Sequence, residues 1–196
     1  MMRSVHVALL VLGLVPVYGT AVAQWGIGAE IGVARFAGSS RDTSGTVVGP
    51  YRPTTFELRV DRGLGPTRVA IAVEYAKTGI AGEQESLAAV QYDAASFWEI
   101  APQVSWRLAR FGAGVEVRIE AGPAFTFWDL NGEKRNRVGG RAAAAFEWPL
   151  TEVIAGSLRV CGTLSESIFD QAEVPAGVER RATRRLGGAV GLRYRL

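Results

Sequence analysis

At 196 residues, with 48% apolar composition and a formal charge of only +3, the chain is long enough for one domain and too evenly charged for a nucleic-acid surface. Its single cysteine, Cys161, excludes an internal disulfide, and its only histidine, His6, excludes imidazole chemistry anywhere after residue 6. Beyond the N-terminal stretch the longest apolar runs are 69–73 and 142–146, far short of a membrane-crossing helix, so a helical membrane protein is excluded.

The chain opens Met1-Met2-Arg3, runs through apolar residues over 5–17 and reaches Ala21-Val22-Ala23 just before Gln24. A short basic start, an apolar segment too short to span a bilayer and an A-x-A site predict a secretory signal peptide over 1–23, leaving 24–196 as one domain. Pro16 and Gly19 interrupt the run, no charged stop-transfer cluster follows, and no Cys stands at the cleavage site to carry a lipid.

From Gln24 onward the governing signal is a period of two, broken by turn signals. Trp25, Ile27, Ala29, Ile31 and Val33 alternate with Gly26, Gly28, Glu30, Gly32 and Ala34. Phe56, Leu58 and Val60 then alternate with Glu57, Arg59 and Asp61, and Val69, Ile71, Val73 and Tyr75 with Ala70, Ala72 and Glu74. A fourth segment sets Trp98, Ile100, Val104, Trp106 and Leu108 against Glu99, Gln103, Ser105 and Arg107. The fifth sets Val115, Val117, Ile119, Phe125 and Phe127 against Glu116, Arg118, Glu120 and Thr126. A sixth sets Val138, Ala142, Phe146 and Trp148 against Arg137, Arg141 and Glu147, and a seventh Ile154, Leu158, Val160 and Leu164 against Ser157, Arg159, Cys161 and Thr163. The last sets Leu186, Val190, Leu192, Tyr194 and Leu196 against Arg185, Arg193 and Arg195.

Connections alternate in length. Long polar ones are expected at 38–53, 78–96, 129–136 and 165–183, and tight ones at 63–67, 109–114 and 149–153. This asymmetry matches short periplasmic turns and longer outer loops. Pro102 and Pro123 fall inside predicted strands of a closed sheet, where a missing N–H has no free edge, so each is expected to carry a β-bulge or a local break, eased by Gly122.

The pattern predicts an all-β fold, a closed antiparallel up-and-down transmembrane β-barrel of about eight strands. Its apolar face would carry two aromatic girdles, Trp25, Trp106, Trp148 and Tyr194 at one rim and Phe56, Tyr75, Trp98, Phe125 and Phe127 at the other. The alternatives are a soluble lipocalin-like barrel binding an apolar ligand inside, and a narrow small-solute or proton pore. The ending, Gly191 followed by Tyr194 and Leu196, resembles the C-terminal signal read by the outer-membrane assembly machinery, with Leu in place of the commoner final Phe. On strand pattern, loop alternation and this ending, the mature chain resembles the small eight-stranded outer-membrane barrels of the OmpA and OmpX-like superfamily over its whole length. The resemblance implies outer-membrane localisation, with membrane lipid, lipopolysaccharide and the assembly machinery as partners, and a monomer.

A barrel this narrow is filled by side chains, and charged ones must pair there. The expected lumenal network is Glu57, Arg59, Glu74, Glu99, Arg107, Glu116, Arg118, Glu120, Arg141, Glu147, Arg159 and Arg193, with Arg preferred to Lys for its planar fork. A salt-bridged plug is the expected role. No catalytic, cofactor or metal site is expected: barrels acting on lipid A pair a His with a Ser, and His6 lies in the signal peptide. Cys161 reads as a lumenal packing residue, and Asp42, Asp129, Glu133, Asp170 and Glu173 as solvated loop charge rather than a weak cation site. The expected function is a non-enzymatic integral outer-membrane protein serving envelope structure, adhesion or loop-mediated binding.

Overall fold

A computed structural model of the protein describes residues 24–37, 40–41, 47–51, 53–84, 87–168 and 182–196. The expected signal segment 1–23 and the loop acids Asp42, Asp170 and Glu173 lie outside the described residues.

Ten strands follow in chain order: β1 Trp25–Ala37, β2 Ser40–Arg41, β3 Val47–Tyr51, β4 Thr54–Leu64, β5 Thr67–Gln84, β6 Leu87–Phe111, β7 Val115–Leu130, β8 Glu133–Pro149, β9 Ile154–Ser165 and β10 Thr183–Arg195. Eight of them close into a ring in the order β1-β4-β5-β6-β7-β8-β9-β10, every pairing antiparallel and β10 returning to β1. Closure leaves no barrel edge and satisfies the backbone within the sheet, the condition for crossing lipid with strands. The two short strands β2 and β3 form a hairpin on the far half of β5, with Val47 opposite Glu83 and Tyr51 opposite Gly79.

Alternation places the two faces in opposite environments. Leu58 is 64% exposed and Val33 65%, with Ile27, Ile71, Trp98, Val160 and Leu192 among the other outward apolar side chains, whereas Glu99 and Arg118 are 1% exposed. A water-soluble barrel holding an apolar ligand requires the reverse, so the lipocalin-like alternative fails on face orientation. At one rim Phe56 is opposite Tyr75, Tyr75 opposite Trp98 and Trp98 opposite Phe127, with the Tyr75 and Trp98 rings 4.6 Å apart. At the other rim Trp25, Trp106 and Tyr194 point outward and Trp148 is half-buried.

Three of the expected long connections are corrected, the first being 38–53, which holds β2 and β3 paired onto the extended β5. The 78–96 segment is strand: β5 runs to Gln84 and β6 restarts at Leu87, so the hairpin rises past β4 and β7, which pair with it only as far as Ala76 and Ala95. Above a lipid layer a strand needs no continuous apolar face, and the alternation that marks the other strands fades there. The 129–136 segment is a tight hairpin through Asn131 and Gly132, with φ of 52° and 91°. Asn-Gly with two positive φ values is the two-residue turn that matches strand twist, a signal present in the sequence.

The prolines carry the expected local break in the ladder, and they share it. Pro102 and Pro123 occupy facing positions on β6 and β7, where the ladder lapses between Ile100↔Phe125 and Val104↔Ala121 without a change of register. Pro102 still pairs with Ile71 across the β5–β6 seam, and Pro123 with Gly140 across β7–β8. Both missing N–H groups therefore fall in one seam, which loses a single reciprocal hydrogen-bonded pair and leaves the two flanking seams intact. A Cβ on Gly122 would stand 1.9 Å from the Pro102 carbonyl oxygen, so this approach requires glycine. The bulges lie elsewhere, between Thr78 and Ile80 and between Arg107 and Ala109.

Candidate functional site: the charged lumen

The lumen is built by register. Glu30 is opposite Glu57, Glu57 opposite Glu74 and Glu74 opposite Glu99, placing four carboxylates in one row across β1, β4, β5 and β6. Like charges directly opposed destabilise a sheet unless something answers them. The answer comes from the other wall, where Arg141 on β8 and Arg185 on β10 flank Thr163 of β9 in one row.

Arg141 donates to Glu74 at 3.0 Å and to Glu99 at 3.2 Å, and pairs with Glu57. Arg185 donates to Glu99 at 2.7 Å, to Glu74 at 3.0 Å and to the Thr163 hydroxyl at 3.2 Å. One layer toward the termini, Arg59 donates to Glu57 at 2.8 Å, Glu120 at 3.1 Å and Gln103 at 3.0 Å. Arg159 donates to Glu30 at 2.9 and 3.1 Å and pairs with Glu120, while the Ser157 hydroxyl donates to Glu30 at 2.9 Å. Shared carboxylates link these groups into one network.

Strand order gives the span of each contact. β8 and β4 are diametric in the ring, as are β10 and β6, so Arg141–Glu57 and Arg185–Glu99 each cross the full width of the barrel. A lumen bridged twice through its axis by ion pairs is a plug.

Toward the end where Gln24 and Leu196 lie, Glu116 accepts from Arg68 at 3.2 Å, Arg107 at 3.1 Å and Arg118 at 3.0 Å. Arg68 also grips Glu147 at 2.7 and 2.8 Å, and Arg193 holds Asp61 in a fork at 2.6 and 2.7 Å. Arg118 completes its donors on the Ser105 hydroxyl at 2.8 Å and the Pro66 carbonyl at 3.0 Å. At the opposite end the filling is apolar: Phe97, Trp128, Leu130, Ala76, Ala95 and Ile168 cluster with Phe36, and Arg185 sits 4.8 Å over the Phe97 ring.

All twelve residues of the sequence-derived network face inward: Glu57, Arg59, Glu74, Glu99, Arg118, Glu120, Arg141, Glu147, Arg159 and Arg193 are buried, and Glu116 and Arg107 are half-buried near the mouth. Glu30, Asp61, Arg68 and Arg185 complete it and were absent from that set, though each is in phase with a member on its own strand or with the buried face. Phe97 and Trp128 were missed similarly, lying one residue out of phase with the girdle residues Trp98 and Phe127. Cys161 points inward, buried between Ala143 and Gly187. At the last strand Tyr194 and Leu196 are exposed, and Gly191 leaves room for Glu30, whose Cγ would stand 2.6 Å from a Cβ there.

The sequence matches no protein-family model and no curated protein. Solved structures match at the level of fold. The outer membrane protein OprG of Pseudomonas aeruginosa superposes with a TM-score of 0.60 at 13% identity, over 89% of this chain and 96% of that one. Neisserial surface protein A superposes at 0.59 and 12% identity, over 87% of this chain and 96% of that one. The protein has the fold of the small transmembrane β-barrels, a closed eight-stranded antiparallel up-and-down barrel.

Proposed function

We propose that the protein is a non-enzymatic integral outer-membrane barrel, closed to solute passage, that works through the strands and loops raised at the end opposite its termini. Its service is envelope structure, adhesion or loop-mediated partner binding. The observation that carries this reading is the pair of diametric ion-pair bridges, Arg141–Glu57 and Arg185–Glu99, which spend the lumen on rigidity and leave the β5–β6 hairpin with its attached β2–β3 as the working surface. The non-enzymatic part rests on the lack of any His in 24–196. The outer-membrane part rests on the outward apolar band and the predicted signal peptide, and the likeness to OprG supports it. Membrane lipid, lipopolysaccharide and the assembly machinery are its proposed partners, with Gly191, Tyr194 and Leu196 as the assembly signal of a monomer that holds no cofactor.

Two measurements test it. Full-length chain should fractionate with outer membranes and resist carbonate extraction, and Leu196→Asp should abolish insertion while export persists. Purified barrel in planar bilayers should show no sustained conductance; steady channel currents would instead establish the small-solute pore.

A further inference from the structure

The barrel end where Gln24 and Leu196 lie opens into a depression of about 340 Å³ lined by Arg68, Arg107, Arg110, Arg118, Arg193 and Arg195. Three carboxylates answer these six guanidinium groups: Glu116, Glu147 and Asp61. They are consumed by Arg68, Arg118, Arg193 and one nitrogen of Arg107. Arg110 and Arg195 have no ion-pair partner among the described residues, and Arg107, 31% exposed and in the lining, commits only Nη1 to an ion pair. The other charged groups of this end stand apart: Arg62 points outward, 5.7 Å over the Trp25 ring, Glu152 lies on the β8–β9 turn outside the lining, and Leu196, whose carboxylate follows Arg195, also lies outside it.

Arg110 reaches the depression only because of the bulge. Regular alternation from the inward Arg107 would turn Arg110 out toward the apolar band. Two residues, Leu108 and Ala109, stand where one would, with Ala109 opposite Val117, so Arg110 falls opposite the inward Glu116 and Phe111 returns outward opposite Val115. A bulge at a barrel rim that re-aims one side chain is a feature of functional sites. Here it adds a cation to a mouth already rich in cations.

We propose that this mouth binds a phosphate-bearing small anion, with Arg110, Arg195 and the free edge of Arg107 as its ligands and the Glu116-centred ion-pair cluster as a fixed floor. Separate guanidinium forks call for an acceptor with more than two oxygens, which a phosphate has and a carboxylate lacks. Low-dielectric barrel walls focus the surplus positive field on the opening. The phosphate could belong to a soluble anion or to the headgroup of a lipid in the adjacent leaflet, and the chemistry of recognition is the same.

The full chain, folded into phosphatidylcholine nanodiscs, is titrated with inorganic pyrophosphate by calorimetry. Saturable binding is expected, weakening with added salt, and the Arg110→Gln/Arg195→Gln variant should lose about tenfold or more in affinity. Arg62→Gln should match wild type. Since Arg110 and Arg195 hold no ion pair, the double variant should keep the heat-modifiable migration of the folded barrel, a check made on the same sample. Discs containing phosphatidic acid separate the two sources: weaker pyrophosphate binding by wild type identifies a headgroup site, and unchanged binding a site for soluble anions. Absence of saturable binding in phosphatidylcholine discs, or equal affinity in wild type and the folded double variant, overturns the proposal.

Discussion

The centre of the lumen and its terminal mouth are made of the same two residue types and obey different rules. At the centre five carboxylates, Glu30, Glu57, Glu74, Glu99 and Glu120, meet four guanidinium groups, Arg59, Arg141, Arg159 and Arg185, and every carboxylate touches at least one of them. At the mouth six guanidinium groups meet three carboxylates, and two are left over. Where water is excluded an unpaired charge costs several kcal/mol, and each of these nine groups has at least one ion-pair partner, though the Arg59 and Arg141 Nε atoms stay unbonded; where water reaches, a surplus is tolerated and becomes available for binding. The row of four glutamates shows how strict the central rule is. It is a repulsive arrangement within its own wall, where Arg59 answers Glu57 alone, and Glu30, Glu74 and Glu99 find their arginines only on β8–β10, so the acidic wall depends on closure of the ring.

That contrast can be broken by chemistry at single positions. Its all-or-none form uses the natural thiol: a bulky water-soluble maleimide should leave Cys161 unlabelled in the folded barrel and label it once denaturant opens the ring. Arg110→Cys, in a Cys161→Ala background, should label in the folded state. Native labelling of Cys161 would show an open lumen and remove the difference between the regions.

Next in size is the loss of a bridging cation. Arg141→Met strands Glu57, Glu74 and Glu99 beside fewer partners, and should cost roughly 3–5 kcal/mol, the range for breaking a buried pair from one side. Urea titration of the barrel in lipid vesicles measures it, and an unshifted midpoint would mean that water already screens the centre. On the opposite face Ile71→Arg should cost about 2–4 kcal/mol if that position lies near the bilayer midplane, whereas its lumen-facing neighbour Ala70→Ser should be tolerated. Equal penalties at the two positions would contradict the assignment of faces. Smallest is the mouth itself: Arg107→Gln removes one half-exposed pair and should cost under about 1 kcal/mol by the same titration. A loss as large as that of Arg141→Met would make the mouth part of the sealed network.

Much of this architecture was legible before any coordinates. Period two is a local property of a strand, so the alternation of Phe56, Leu58 and Val60 with Glu57, Arg59 and Asp61 determined which residues face lipid and which face the lumen. The turn chemistry of Asn131-Gly132 was equally local, and the expected long loop there overlooked it. The raised β5–β6 hairpin was not legible, because outside the lipid no face has to be apolar and the alternation disappears with the need for it. What only the tertiary structure decided is how strands sit against one another. Register placed Glu30, Glu57, Glu74 and Glu99 in one row, set Pro102 against Pro123 so that two missing donors share one seam, and through a single extra residue turned Arg110 from the lipid side to the mouth. A residue's face follows from its own neighbours in sequence, but its partner across the sheet is a relation between distant segments, set by turn geometry, bulges and closure of the ring, which no local pattern encodes.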